Sequence, residues 1–231
     1  MKSLIFDAGP IISLATNNIL WLLPSLKKSF NGKFYITESV KREIVDVPLG
    51  IKRFKFEAIQ VQKLIEDKTL EILDNSVVRA ETPKLLSTAN EVFKAFDNYI
   101  RIVHFAEMSV LAASRSISAS AVVIDEKTTR CLMENPRLLV EILRKSLHTA
   151  IYVRGDNLKE FNSCVKSIKL IRSVELVVIA YERGLLDNYI TKIPDAKRNL
   201  LESVLWGVKF NGCAVSNNEI EQILKIEMRN Q

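Results

Sequence analysis

Four acids in this 231-residue chain stand where a carboxylate needs a reason. Asp7 closes the apolar run Leu4-Ile5-Phe6 in "SLIFDAGPIISLA", and Asp125 closes a second one in "AVVIDE". Glu107 sits inside "VHFAEMSVLAAS", among apolar and small residues, and Glu43 lies in "SVKREIVD" beside Val40, Ile44 and Val47. Burying an ionised carboxylate costs several kcal/mol unless a positive or hydrogen-bonding group compensates it. One shared cation would compensate a whole cluster. An all-oxygen donor set without cysteine or histidine suits Mg2+ or Mn2+. Such an ion lowers the pKa of a bound water, orients it on a phosphodiester and neutralises the leaving oxygen.

Each acid also has an ordinary explanation. Asp7 can cap the helix that follows through Pro10, and Asp125 can cap the helix "EKTTRCL", since Asp is a favoured N-cap. Glu43 reads as a solvated helix residue, and Glu107 can pair with Arg101 or Arg115. His104 and Glu107 share a helical face, but a di-iron bundle needs two Glu–His motifs and further glutamates. His104 therefore reads as a helix-packing residue, and His148 has no comparable partner. No H-E-x-x-H, P-loop or G-x-G-x-x-G pattern is present.

The elements that would position these acids alternate between strand and helix. Residues 3–6 predict a strand, followed by a helix through Pro10, which a first turn tolerates. "GKFYIT" predicts a second strand with Thr37 as N-cap of the helix "ESVKREIVDV", which Pro48 closes. A helix over 54–66 and a strand over 69–74 follow. From Pro83 two helices are expected, one containing "EVFKAF" and one containing "AEMSVLAASR". After the strand at 121–126 the chain is helical, with a break at Pro136. "IKLIR" (168–172) is a further strand, and "SVELVVIAYERGLLD" a helix with Gly184 at its end. Two last helices, 195–210 and 217–229, are separated by a turn in which Ser216 and Glu219 form a capping box. This alternation predicts an α/β fold on a mainly parallel sheet. Ligands of such sheets bind beyond the carboxyl ends of the strands, where Asp7 and Asp125 are expected.

Bulk composition narrows the classes. Hydrophobic residues make up 48%, and only 7 Gly and 6 Pro are present, which argues against disordered or collagen-like material. No stretch approaches the roughly 20 apolar residues of a membrane span, and the start does not read as a signal peptide. Cys131, Cys164 and Cys213 are scattered and odd in number, which predicts buried reduced thiols and a cytoplasmic setting. The net charge of +6 is compatible with a polyanionic partner. Aromatics are only 7% and do not interleave with the basic groups along the chain, so no base-stacking strategy is visible.

The order Asp7 in "LIFDAGPIISLA", Glu43 in "YITESVKREIVD", Glu107 in "FAEMSVLAAS" and Asp125 in "VVIDEKTTRCL" resembles the PIN-domain superfamily of metal-dependent ribonucleases. The helix "SVELVVIAYERGLLD" is similar to that family's late helix, so the resemblance reaches residue 190 or so, with a gap in the middle. It implies a three-layer α/β/α fold with a central, mainly parallel sheet over residues 1–190. It also implies a Mg2+ or Mn2+ site and hydrolysis of RNA, as in the toxins of toxin–antitoxin pairs or in RNA-processing factors. Asp7 and Asp125 would be the direct ligands, while Glu43 and Glu107 would bind metal or position water. An antitoxin protein and a second copy of the chain are the implied protein partners. Ala8 departs from the Thr or Ser of many members, and Glu126 is an extra acid or faces solvent. Residues 128–167 are long for a compact member, and the helical extension 191–231 resembles no catalytic segment. Two readings without cleavage remain: a degenerate PIN-like binding module, and a regulator with its last two helices as a helix-turn-helix. The three glutamates of "NNEIEQILKIEMRN" make that last helix a poor major-groove reader, and an αα-hairpin fits better.

Overall fold

The computed structural model describes residues 2–73 and 76–229. Its first strand, β1 (Ser3–Phe6), is buried at all four positions, as an unalternating apolar run must be when both faces of a sheet are covered. Then come α1 (Ala8–Thr16), α2 (Leu22–Phe30), β2 (Lys33–Ile36) and α3 (Glu38–Lys41). Thr37 caps α3 by accepting the Val40 N–H. Beyond Lys41 the chain does not continue as one helix. It widens into a π turn over Arg42–Asp46 and tightens to a 3-10 turn at Pro48–Gly50. Glu43 therefore rides on a π turn, a feature frequent at functional sites.

α4 (Lys55–Glu66) leads to β3 (Glu71–Ile72). That strand is shorter than the expected 69–74, and Asp74 lies outside the described residues. α5 (Ser76–Asn90) begins before Pro83 and runs through it. "EVFKAF" is not helical as expected. It forms β4 (Phe93–Ala95), which turns through Phe96 and Asp97 into β5 (Asn98–Tyr99). Both turn residues have positive φ, 49° and 63°, the twist that a tight hairpin requires. Val92 and Phe93 are good strand formers, and this pairing overrides the helical reading.

α6 (Phe105–Ile117) is the expected second helix, followed by β6 (Ala121–Val123) and α7 (Lys127–Glu134). Asn135 ends α7, and Pro136 opens α8 (Pro136–Leu147), so the expected break is present. The chain finishes with β7 (Tyr152–Val153), α9 (Gly155–Val165), β8 (Leu170–Ile171), α10 (Ser173–Glu182), α11 (Ala196–Phe210) and α12 (Asn217–Arg229).

Five strands form a parallel sheet in the order β3-β2-β1-β6-β8, flanked by helices. β5, β4 and β7 form a separate antiparallel sheet that the sequence reading missed. In the parallel sheet the chain builds outward from β1 through β2 and β3. It then builds the other way through β6 and β8. The reversal falls between β1 and β6, which pair Leu4 with Ala121 and Phe6 with Val123. A crevice at the carboxyl ends of the strands on either side of such a reversal is the usual ligand position in open α/β sheets.

The last two helices pack on this framework. Ser13 Oγ of α1 donates to the Val208 carbonyl of α11 at 3.3 Å, and Ile220 and Leu224 of α12 are buried in the common apolar core. The capping box forms as expected. Ser216 N–H donates to Glu219 Oε2 at 2.8 Å, and Glu219 N–H donates to Ser216 Oγ at 3.2 Å. No helix of the described residues is long and apolar enough to cross a membrane.

Candidate metal centre

Asp7 follows β1 and Asp125 follows β6, so the two lie side by side at the sheet reversal. The Asp7 N–H is held by the Val123 carbonyl at 2.9 Å, extending the pairing to the site. Gly9 keeps the space between them open. A Cβ on Gly9 would stand 3.5 Å from Asp125 Cβ and 3.9 Å from Asp7 Oδ2. Asp7, Glu43, Glu107 and Asp125 all line one cavity of about 710 Å³, joined there by Glu126. The described lining includes no lysine or arginine.

The individual contacts test the ordinary explanations. Asp7 occupies the N-cap position of α1, but its carboxylate makes no cap hydrogen bond. It is 5% exposed. Burial first, then the charges of Glu107 and Glu43, push its pKa up to about 7, against a smaller pull from the nearby Ala8 and Gly9 N–H groups. Capping does not account for Asp7.

Asp125 is 2% exposed and does not cap α7; Glu126 does, accepting the Thr128 N–H at 2.9 Å. Instead Asp125 Oδ1 accepts the Ser173 N–H at 2.8 Å and so holds the start of α10. Its Oδ2 is buried without a hydrogen-bond partner, as is Ser173 Oγ beside it. Burial raises the Asp125 pKa, partly offset by the Ser173 N–H and by the nearby Ser173 hydroxyl and Cys213 thiol.

Glu107 has the strongest structural duty. It is the third residue of α6, and Oε2 accepts both the His104 N–H at 3.2 Å and the Thr129 hydroxyl at 2.7 Å. It thus caps its own helix and ties α6 to α7. The expected pairing with Arg101 or Arg115 does not form; Arg115 bonds Glu81. Burial raises the Glu107 pKa, with Thr129 and the His104 N–H opposing it. Both hydrogen bonds fall on Oε2, which leaves Oε1 without one. Glu43 is exposed at the cavity mouth, as its solvated-face reading expects.

Sequence reasoning overlooked several residues here. Thr37, Ser39 and Ser109 form a triangle of hydroxyls with sides of 2.9, 2.7 and 2.6 Å, fixing α3 against α6 beside the cavity. His104 is not a helix-packing residue: it is exposed at the N-cap of α6 and lines the cavity. The C-terminal extension is also part of the wall. Asn211 and Gly212 line the cavity, and the Ala214 N–H bonds the Asp125 carbonyl at 3.3 Å. Cys213 is buried, and its thiol is pushed up to about 12 by burial and by the charge of Asp125. Cys164, expected to be buried, is only partly so.

Arg172 staples this loop to the framework. It donates to the Ala214 carbonyl at 3.1 Å, to Glu219 at 2.8 Å and to Glu175 at 2.5 Å. Burial opposes its charge, but the two glutamates hold its pKa above the usual value. Burial also opposes the Glu219 charge, yet the Ser216 N–H and Arg172 pull that pKa down to about 2. No local sequence signal links residues this far apart.

As the side chains stand, no three His, Cys, Asp or Glu groups among the described residues converge tightly enough to grip an ion. The donor set nonetheless fits a hard divalent cation. Asp125 Oδ2 is buried and unsatisfied, Asp7 has no cap hydrogen bond, and burial, with the charges of Glu107 and Glu43, raises the Asp7 pKa. A bound cation would give the free Asp125 oxygen a partner and offset the charge that burial disfavours at Asp7. Comparison with protein-family models, with curated proteins and with solved structures finds no match to this chain.

Proposed function

We propose that this chain is a Mg2+- or Mn2+-dependent ribonuclease with a three-layer PIN-like α/β/α fold. The observation that carries the reading is the pair Asp7 and Asp125 at the reversal of the parallel sheet, with an unsatisfied buried oxygen on Asp125. Asp7 and Asp125 would hold the metal from the cavity floor. Glu107 would contribute Oε1 while Oε2 stays committed to α6 and Thr129. Glu43, exposed at the mouth, would orient water or complete the ligand set. A bound Mg2+ or Mn2+ would supply a more acidic water and stabilise charge on a phosphodiester. The net charge of +6 supports a polyanionic substrate. RNA follows from the resemblance of the four acid-bearing segments to PIN domains.

The test is cleavage of a mixed RNA pool by purified protein in Mn2+, Mg2+ or EDTA, beside Asp7→Asn and Asp125→Asn proteins of unchanged fold. Metal-dependent cutting lost in both variants supports the reading, and cutting that survives both refutes it. A second reading, a PIN-like module that binds nucleic acid without cutting, is favoured by the lack of convergence of the carboxylates. Metal binding with no cleavage of any RNA would select it.

A further inference from the structure

The small antiparallel sheet of β5, β4 and β7 brings together aromatic and basic groups that are scattered in the sequence. Lys94 pairs across the ladder with Tyr99 on one side and Tyr152 on the other. Directly opposed residues of antiparallel strands project on the same face. Tyr99, Lys94 and Tyr152 therefore form one row, with the Lys94 ammonium 4.5 Å from the Tyr99 ring centre. The rings are open to solvent, Tyr99 at 40% and Tyr152 at 67% exposure. Arg154 lies over the Tyr99 ring, 5.6 Å from its centre, and bonds its hydroxyl and Glu91.

This face borders a cavity of about 740 Å³ whose lining includes Tyr99, Arg101, His104 and Phe105. His104 and Phe105 also line the carboxylate cavity, so the two spaces meet there. Phe105 is 48% exposed at that junction. Arg101 is exposed and has no acidic partner among the described residues. Open rings with unpaired cations beside them, leading to an acidic cavity, match the chemistry of an unpaired polynucleotide. Bases stack on the rings, and phosphates meet the cations.

We infer that Tyr99, Tyr152 and Phe105, with Lys94 and Arg101, form a track that binds single-stranded RNA and feeds it past His104 into the carboxylate cavity. The assignment of RNA rests on the ribonuclease reading; the track itself rests on the second sheet. A duplex keeps its bases stacked inside and offers none to these rings, so the track selects unpaired strands.

The experiment is fluorescence anisotropy of the full chain in EDTA, where binding is separated from cleavage. The probes are a short labelled unstructured RNA, its duplex, and single-stranded DNA of the same sequence. Tyr152→Leu is expected to weaken single-strand binding roughly tenfold, while Tyr152→Phe, which keeps the ring, stays near wild type. Arg101→Gln is expected to reduce the salt slope of binding by about 0.7. Tyr152 and Arg101 are exposed, and unchanged melting temperatures confirm that the variants fold. Equal affinity for duplex and single strand, or wild-type affinity in Tyr152→Leu, overturns the track; preference for DNA overturns its assignment to RNA. Single-strand binding in EDTA without any Mn2+-dependent cleavage sinks the nuclease reading and leaves the track standing. Cleavage that is indifferent to Tyr152→Leu and Arg101→Gln sinks the track alone.

Discussion

Asp7 and Asp125 follow neighbouring parallel strands, and a Cβ at Gly9 would touch both side chains, 3.9 Å from Asp7 Oδ2 and 3.5 Å from Asp125 Cβ. Neither has its charge fully compensated there. Asp7 lacks a cap bond, and Asp125 leaves one oxygen without a partner. Such a pair, inside a cavity whose described lining has no lysine or arginine, is a destabilising arrangement that the fold retains.

That cost sets the first prediction. Asp7 titrates near 7 in the fold against 3.8 for the free side chain, so the folded chain holds the proton more tightly than the unfolded chain does. Ion-free stability should therefore fall as pH rises from 3.8 to about 7 and level off above it. Asp7→Asn should remove the Asp7 share of this slope and stabilise the ion-free protein at pH 8 by about 4 kcal/mol. Thermal melts in EDTA across this range check it. A variant less stable than wild type at pH 8 would contradict it.

Glu107 should separate its two roles by substitution. Glu107→Gln keeps an acceptor for the His104 N–H and the Thr129 hydroxyl and should change stability little. Glu107→Ala leaves both donors unpaired and should cost about 2 kcal/mol. Both should weaken Mn2+ binding alike. Denaturant melts and Mn2+ titrations of the two proteins give the comparison.

The extension 191–231 resembles no catalytic segment, yet Asn211 and Gly212 of its loop line the carboxylate cavity. Arg172→Lys cannot reach Ala214, Glu175 and Glu219 together as the guanidinium does. It should lower the melting temperature by several degrees, raise amide exchange at Ala214, and weaken Mn2+ binding. Because Glu219 owes its low pKa partly to Arg172, the wild-type pair should hold above the usual Glu range and fail only as pH drops toward 2. Arg172→Lys should fail at higher pH.

How legible the site was depends on the range of the forces that made it. The parallel strands, and Asp7 and Asp125 at their ends, were visible because apolar runs ending in acid are a local pattern. The capping box at Ser216 and the break at Pro136 were local as well. The hairpin of β4 and β5 was not, because "EVFKAF" fits a helical spacing and becomes a strand through pairing with β7, more than 50 residues away. The Arg172 staple and the hydroxyl triangle of Thr37, Ser39 and Ser109 likewise join distant segments. Glu107 was read correctly as an acid that burial must explain, but its partners, the His104 N–H and Thr129, differ from the arginines expected.

The central claim is tested most directly by isothermal titration of Mn2+ into wild type, Asp7→Asn and Asp125→Asn proteins, each confirmed as folded. The account expects binding to wild type with release of protons near pH 7, since Asp7 is partly protonated there, and loss of binding in both variants. Equal Mn2+ affinity in all three proteins would contradict it.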